Sequence, residues 1–414
     1  MKNNTFIITS IAIALTGCAS TATKPVLTGY DRVISPQPSP NSITELTAAS
    51  KNGYKAIGLD PTSGDYLLLD VPASAGEQQQ WQAQTHVSDD FKYTFERTTE
   101  RADFGDGKWY NFYHNAWDGP GATYWKHDHI GVQDGNLEFY LSRNPSTEKQ
   151  GKPGVNAGCI TSNTQVEYPV FVEASVSLAD ISLATAVWLL SPDDTQEIDI
   201  LEAYPGKDNN NGHFSQYIHL SHHSFIRDPF TDYQPRDVNS WWLGDREGHT
   251  SWGDYTWNNG ERQYIQIGVN WVNPFHFEYY INGELVRVVY NNAFATKMFN
   301  RGEWTWTYSY PKVNGNKKLS EDRKGYQAVD IYKKERGEFN FSYLKEASER
   351  SPTSVIDPYN YQDGQGFSKP MDIIINNELQ SWWTSNPTDK DLADTSGRNT
   401  MLVDWIRVFK PVTR

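Results

Sequence analysis

From about residue 55 to its end, the chain is written in short runs of apolar and polar residues separated by turn residues. Tyr66-Leu67-Leu68-Leu69, Leu137-Glu138-Phe139-Tyr140-Leu141, Phe171-Val172-Glu173-Ala174-Ser175-Val176 and Ile265-Gln266-Ile267-Gly268-Val269 have the length of strands and are short for helices. Phe277-Glu278-Tyr279-Tyr280-Ile281 runs into Asn282-Gly283, and Glu284-Leu285-Val286-Arg287-Val288-Val289 returns. Asn-Gly suits a two-residue hairpin because both central positions need positive φ. The chain closes on Val403-Asp404-Trp405-Ile406-Arg407-Val408-Phe409, again alternating. Many short strands and few helical periods predict an all-β sandwich of antiparallel sheets. Two stretches break the rhythm. Residues 205–264 read as long loops, where binding residues gather. Residues 312–350 are highly charged, as in Lys333-Lys334-Glu335-Arg336, and contain candidate short helices.

The N-terminus is of another kind. Lys2 gives a positive start, Phe6 to Leu15 is a mostly apolar run, and Leu15-Thr16-Gly17-Cys18 follows. This is the order of a secretory signal, and the run is short for a membrane span. Leu-x-Gly-Cys resembles a bacterial lipoprotein signal over residues 1–17, with Cys18 the lipidated first residue of an exported protein. Ala19 and Ser20, with no Asp beside the cysteine, imply the outer membrane of a Gram-negative cell. Residues 18–55, rich in Pro, Ser and Thr, read as a disordered tether, which leaves 56–414 as one domain.

Cys18 and Cys159 are the two cysteines. With Cys18 lipidated no internal disulfide forms, so a hydrophobic core must hold the fold. Cys159 reads as a buried, inert thiol on a strand. The formal net charge is −14 and no basic stripe is present, which argues against nucleic acid as a partner. The 15 Trp and 24 Tyr supply rigid faces suited to sugar rings, although such residues also fill cores.

The sharpest chemical feature is Gln196-Glu197-Ile198-Asp199-Ile200-Leu201-Glu202, after the apolar run Ala186-Val187-Trp188-Leu189-Leu190. On a strand, Glu197 and Asp199 share one face while Ile198 and Ile200 point into the core. Strict alternation would then bury Glu202 and expose Leu201, and a buried unpaired carboxylate is costly. One extra residue, a bulge between Asp199 and Glu202, puts Leu201 inside and all three acids on the open face. Acids so close raise at least one pKa. The two Glu Cα atoms would stand roughly 13 Å apart. Side chains leaning toward a substrate could bring their carboxyls to ~5 Å, the separation of a retaining glycosidase. Glu197 would then be the nucleophile, Glu202 the acid and base, and Asp199 a partner hydrogen-bonded to Glu197 that tunes their charge. A solvated acidic strand face, or a metal site, is the competing reading of the same residues.

Glu197-Ile198-Asp199-Ile200-Leu201-Glu202 resembles the active-site strand of glycoside hydrolase family 16. The likeness extends to the family's β-agarase branch in Trp188-Leu189-Leu190-Ser191-Pro192-Asp193-Asp194-Thr195-Gln196, His114-Asn115-Ala116-Trp117-Asp118-Gly119-Pro120-Gly121 and Gly158-Cys159-Ile160-Thr161-Ser162. It continues in His222-His223-Ser224-Phe225-Ile226-Arg227-Asp228-Pro229-Phe230, Met371-Asp372-Ile373-Ile374-Ile375-Asn376-Asn377-Glu378 and Asp404-Trp405-Ile406-Arg407-Val408. The resemblance implies a β-jelly roll of two curved antiparallel sheets with a concave substrate cleft. It implies internal, retaining cleavage of β-1,4 linkages in agarose to neoagaro-oligosaccharides, with no catalytic cofactor. Trp117 and Trp188 would stack on sugar rings, Arg227 and Glu378 would hydrogen-bond them, and Trp125 and His223 lie on the same surface. A structural calcium, held by the Gly135 carbonyl and Asp404, would sit on the convex side.

The stretch between Val289 and Met371 is longer than the family pattern. Within it Lys317, Lys318, Arg323 and Lys324 could meet sulfate on porphyran, furcellaran or carrageenan, or could simply be solvated. A carbohydrate-capturing lipoprotein without activity would need neither glutamate. An anchored, tethered enzyme is expected to work as a monomer.

Overall fold

The structure is a computed structural model that describes residues 53–59, 62–315 and 318–414. The signal, Cys18, most of the tether and Lys317 lie outside the described residues.

Two antiparallel sheets carry the fold. Among the described residues the larger has eleven strands. From edge to edge it runs Val329–Glu335, Glu303–Pro311, Ala293–Asn300, Glu284–Tyr290, His276–Ile281, Ile265–Asn273, Val170–Ser177, Met401–Thr413, Asn136–Phe139 and Ile130–Gln133, and Gln79–Ala83 also pairs with Met401–Thr413. The second runs Phe230–Tyr233, Ile218–Arg227, Gln196–Ala203, Ala184–Leu190, Asp372–Glu378, Cys159–Ser162, Trp109–Tyr110 and Asp103–Phe104, with Trp241–Trp242 on the side of Ile218–Arg227.

The core lies between the sheets and follows the alternation. Ile198, Ile200 and Leu201 pack inward with Val187, Leu189, Ile218, Leu220, Ile373 and Ile375. Val172, Ala174, Ile267, Val269, Phe277, Tyr279, Ile406 and Val408 meet them from the larger sheet. The larger sheet is buried on its far face too, where Tyr280, Val288, Trp306 and Tyr308 pack under the helix Phe341–Ser348 and the chain around Leu67 and Val71. The predicted hairpin is present: Asn282 and Gly283 have φ of 49° and 75°, and Ile281 pairs with Glu284.

Several sequence expectations change. Tyr66-Leu67-Leu68-Leu69 is mostly a helical turn, Asp65–Leu68, and of its residues Leu67 is buried. Its end carbonyls are satisfied by Arg407, whose guanidinium donates to the carbonyls of Tyr66, Leu69 and Asp70, so no partner strand is required. The supposed loop 205–264 contains the ten-residue strand Ile218–Arg227. Its alternation was hidden because both faces carry polar residues. His219, Ser221 and His223 fall on one face, while His222 lies among the core side chains, its Nε2 3.2 Å from the carbonyl oxygens of Val355 and Ile356. Burial pushes that imidazole down to about 3.

The charged 312–350 stretch turns mainly to the larger sheet. Val329–Glu335 forms its edge strand, and Phe341, Leu344 and Ala347 of the helix are buried on its far face. It reaches the smaller sheet through Tyr326, which packs against the group of Tyr204 and Trp241. Gln327 makes a second contact: its N–H donates to the Arg236 carbonyl, and its side-chain oxygen accepts from the Tyr233 hydroxyl. Lys318, Arg323 and Lys324 are exposed.

Candidate active site

The bulge inferred from burial is there. Asp199 pairs with Ser221 and Glu202 with His219, so three steps along one strand match two along its neighbour. The same extra residue appears on the other side, where Val187 pairs with Leu201 but Trp188 with Asp199. The glutamates are five residues apart and the histidines His219 and His223 four apart, and the bulge absorbs the difference. His223 therefore stands opposite Glu197, and His219 opposite Glu202. Across the other flank Ala186 lies between Glu202 and Asn376, and Ala184 faces Glu378.

The two glutamates have different surroundings. Glu202 is buried and heavily hydrogen-bonded. His219 Nδ1 lies 2.6 Å from its Oε2, the Tyr204 hydroxyl 2.8 Å from its Oε1, and Gln380 Nε2 3.2 Å from the same oxygen. Burial pushes this carboxyl up, but the hydrogen bond and charge of His219, with His223 and Tyr204, outweigh it and hold Glu202 down at about 2. His219 is itself fixed by Ser240 Oγ at 3.1 Å and by stacking on Trp241, centroid to centroid 4.1 Å.

Glu197 has 15% of its side-chain surface open. Burial raises its pKa well above the carboxylate range despite the charge of His223, and Asp199 raises it further. Asp199 is pushed up to about 7 by burial and by Glu202, a rise reduced chiefly by His223. His223 Nε2 lies 3.7 Å from both Glu197 Oε1 and Asp199 Oδ2, and its Nδ1 2.9 Å from Asp232 Oδ1. Burial would lower His223, but Asp232 and Glu197 outweigh it and raise it. Glu378 accepts from Gln380 and Asn376 and is pushed up to about 7, chiefly by burial.

A carboxyl with a raised folded pKa stabilises the fold while protonated. For Asp199 that contribution is whole below about pH 4 and is lost as pH rises through about 7. Asp199→Asn, which stays neutral, is therefore expected to melt above the unsubstituted protein near about pH 8, with the gap closing toward about pH 4. A melting difference that does not vary with pH would refute this.

The predicted aromatic residues divide. Trp117 is 42% exposed and stands edge-on to Tyr113 and Trp125. Trp125 is 1% exposed, its indole N–H bound by the Asn377 carbonyl, so it backs Trp117 instead of offering a face to a ligand. Trp188 lies on the acidic face but is 7% exposed and donates to Asn376 Oδ1, which makes it floor rather than an open stacking platform. The loop bearing Trp117 is anchored by His114, whose Nδ1 is 3.1 Å from Asp372 Oδ2 and whose Nε2 is 2.5 Å from Asp194 Oδ1. At the other edge the exposed Arg227 guanidinium lies over Phe225 and Phe230, without an ion pair to Asp228 or Asp232 among the described residues. His223, Phe225 and Phe230 stack in series, and Phe230 is 63% exposed.

Sequence reasoning missed Tyr204, His219, Gln380, Phe225 and Phe230. Two of these were within reach, because Tyr204 lies two residues beyond Glu202, just past the end of its strand, and His219 four before His223 on theirs. Cys159 is buried and free, and burial raises its thiol. Gly135 makes a tight turn at φ 75°, and Asp404 is half-buried, its pKa raised by burial and by nearby Asp90. Carboxylate and carbonyl oxygens are the donors calcium takes, so the chemistry of this pair fits that ion.

The family profile described as "Beta-porphyranase A-D, GH16 domain" matches residues 81–331. β-Agarase D of Zobellia galactanivorans is 45% identical over 379 residues, covering 84% of this chain and 74% of that protein. The chain belongs to glycoside hydrolase family 16. The catalytic domain of that β-agarase D superposes with a TM-score of 0.73 at 43% identity, covering 84% of this chain and all of that domain. An inactivated β-agarase B solved with agaro-octaose gives 0.60 at 35% identity, over 84% of this chain and all of the other. The two sheets are thus the jelly roll of a family 16 glycoside hydrolase, the sandwich that the strand pattern predicted and the jelly roll that the family resemblance implied.

Proposed function

We propose that this protein cuts β-1,4-galactosidic linkages inside agarose chains, with retention, giving neoagaro-oligosaccharides. The carrying observation is the bulged strand, which sets Glu197 and Glu202 on one face, each against its own histidine. Glu197 attacks the anomeric carbon. Glu202 protonates the leaving oxygen, then takes a proton from the incoming water. Glu197 must be ionised to attack, and Asp199, pushed up to about 7, is the neighbour able to hold the proton it gives up. Glu202 is ionised in the free site, so it must gain a proton once substrate is bound before it can act as the acid.

Trp117 and the Phe225–Phe230–Arg227 edge give the polymer two contact platforms, with Trp188 beneath the cleft and Glu378 and His223 lining it. Agarose is uncharged, which suits a cleft lined by Glu197, Asp199, Glu202 and Glu378 in a chain of net charge −14. The names of the β-agarase relatives support the same substrate. A sulfated galactan is the second reading, favoured by the porphyranase profile and by exposed Lys318, Arg323 and Lys324. Reducing-end release from agarose, porphyran and κ-carrageenan, measured with polymer length, separates the two. Agarose cleavage with a fast fall in length is expected. Activity confined to a sulfated polymer would overturn the substrate and keep the carboxylate roles.

We also propose the lipid anchor at Cys18, a monomeric state, and calcium at Asp404 and Gly135. Fatty-acid labelling that persists in Cys18→Ser would refute the anchor, and a dimer mass in light scattering the monomer. A melting temperature unmoved by calcium or chelator would refute the ion.

A further inference from the structure

We propose that the cleft also contains a site for a transition-metal dication of the zinc type, built from His223, Asp199 and Glu197. Their donor atoms lie within 4.8 Å of one another, the one such group among the described residues. His223 Nε2 is 3.7 Å from both Glu197 Oε1 and Asp199 Oδ2. Zinc binds nitrogen and oxygen at about 2.0–2.2 Å with tetrahedral angles, which sets its donors roughly 3.3–3.5 Å apart. Small side-chain adjustments therefore close this triad on an ion.

Two independent features point the same way. Asp199 is 4% exposed, yet its Oδ2 has no hydrogen-bond partner and faces the imidazole. His223 also has the support that ligating histidines have. Asp232 Oδ1, 2.9 Å from Nδ1, holds a proton on that nitrogen and leaves Nε2 to the cleft. Two carboxylates balance the charge of the ion, and Glu197, with 15% of its side chain open, is the ligand through which solvent would reach a fourth position. An imidazole with two carboxylates favours zinc or copper over calcium and magnesium, which take oxygen donors. Loading displaces the proton that Nε2 carries and occupies Glu197 Oε1. Zinc should then block hydrolysis in competition with polysaccharide, a consequence that rests on Glu197 being the nucleophile, as the site itself does not.

Titration calorimetry of the metal-free protein with zinc chloride tests the site without substrate. One ion per chain is expected, bound at least about tenfold more weakly in His223→Gln and Asp199→Asn, and undisturbed by excess calcium. Cobalt(II) in the unsubstituted protein should show the visible bands of a four-coordinate site, and zinc should erase them. That readout holds even if a variant does not fold. No saturable one-ion site, or zinc affinity unchanged in a folded His223→Gln, would overturn the proposal. Zinc binding at these residues without inhibition would keep the site and remove Glu197 from the nucleophile's role.

Discussion

Glu197→Ala and Glu202→Ala should each lower kcat/KM on agarose by on the order of 10⁴-fold, and azide should restore them in opposite ways. Both side chains lie on one face of one strand, so each truncation leaves a space for a small anion. In Glu202→Ala the nucleophile is intact. A substrate with an activated aryl leaving group needs no acid, so it still forms the covalent intermediate, which azide resolves from the vacated side to a β-galactosyl azide. In Glu197→Ala azide attacks in place of the carboxylate and yields the α-azide, with inversion. Chiral analysis of the products by NMR reads the roles directly. The reverse pattern would exchange the assignments, and near-normal turnover in either variant would remove that residue from the chemistry. Glu197→Gln should keep binding agaro-oligosaccharides, because the cleft walls are untouched.

How much of this was legible follows from the physical signals involved. The acidic strand was readable because a conflict between periodicity and burial has few solutions, and a bulge is the cheapest. The partner strand was not, because Ile218–Arg227 carries histidine on its inner and outer faces and so has no apolar stripe. Consequently His219, the group that holds Glu202 ionised, went unseen although its neighbour His223 was named. The family resemblance placed Trp125 on the cleft, but whether an indole offers its face or its back depends on what packs against it, and here that is Trp117 and Tyr113. Tyr66-Leu67-Leu68-Leu69 failed for a related reason. Four apolar residues fit a strand or a helical turn, and Arg407, more than 330 residues away, supplies what decides between them.

Arg287 holds the rim of the cleft to the larger sheet, and Arg287→Met is expected to cost about 3–5 kcal/mol of stability. The residue sits on the strand Glu284–Tyr290, fully buried, and donates through Nη2 to Asp237 Oδ2 at 2.8 Å and through Nη1 to Thr296 Oγ1 at 2.9 Å. Asp237 is fully buried as well, three residues after Gln234, which reaches Glu202 at 3.5 Å. Its Oδ1 also accepts from the Asn239 N–H. Removing the guanidinium strands a carboxylate in the interior, and one backbone N–H does not replace a cation. The fold should then either expose the 234–240 segment to water or protonate Asp237. The first route loosens the wall beside Glu202, so kcat should fall together with stability. Thermal and urea unfolding measure the loss, expected as roughly 5–10 °C in melting temperature. Pairing the change with Asp237→Leu removes the stranded charge and should recover much of the stability, since two apolar side chains can replace a buried ion pair. It should not recover full activity, because Asp237 also caps the turn at Asn239. A loss below about 1 kcal/mol in Arg287→Met would mean that Asp237 is already relieved by other groups, and that the rim does not depend on this pair.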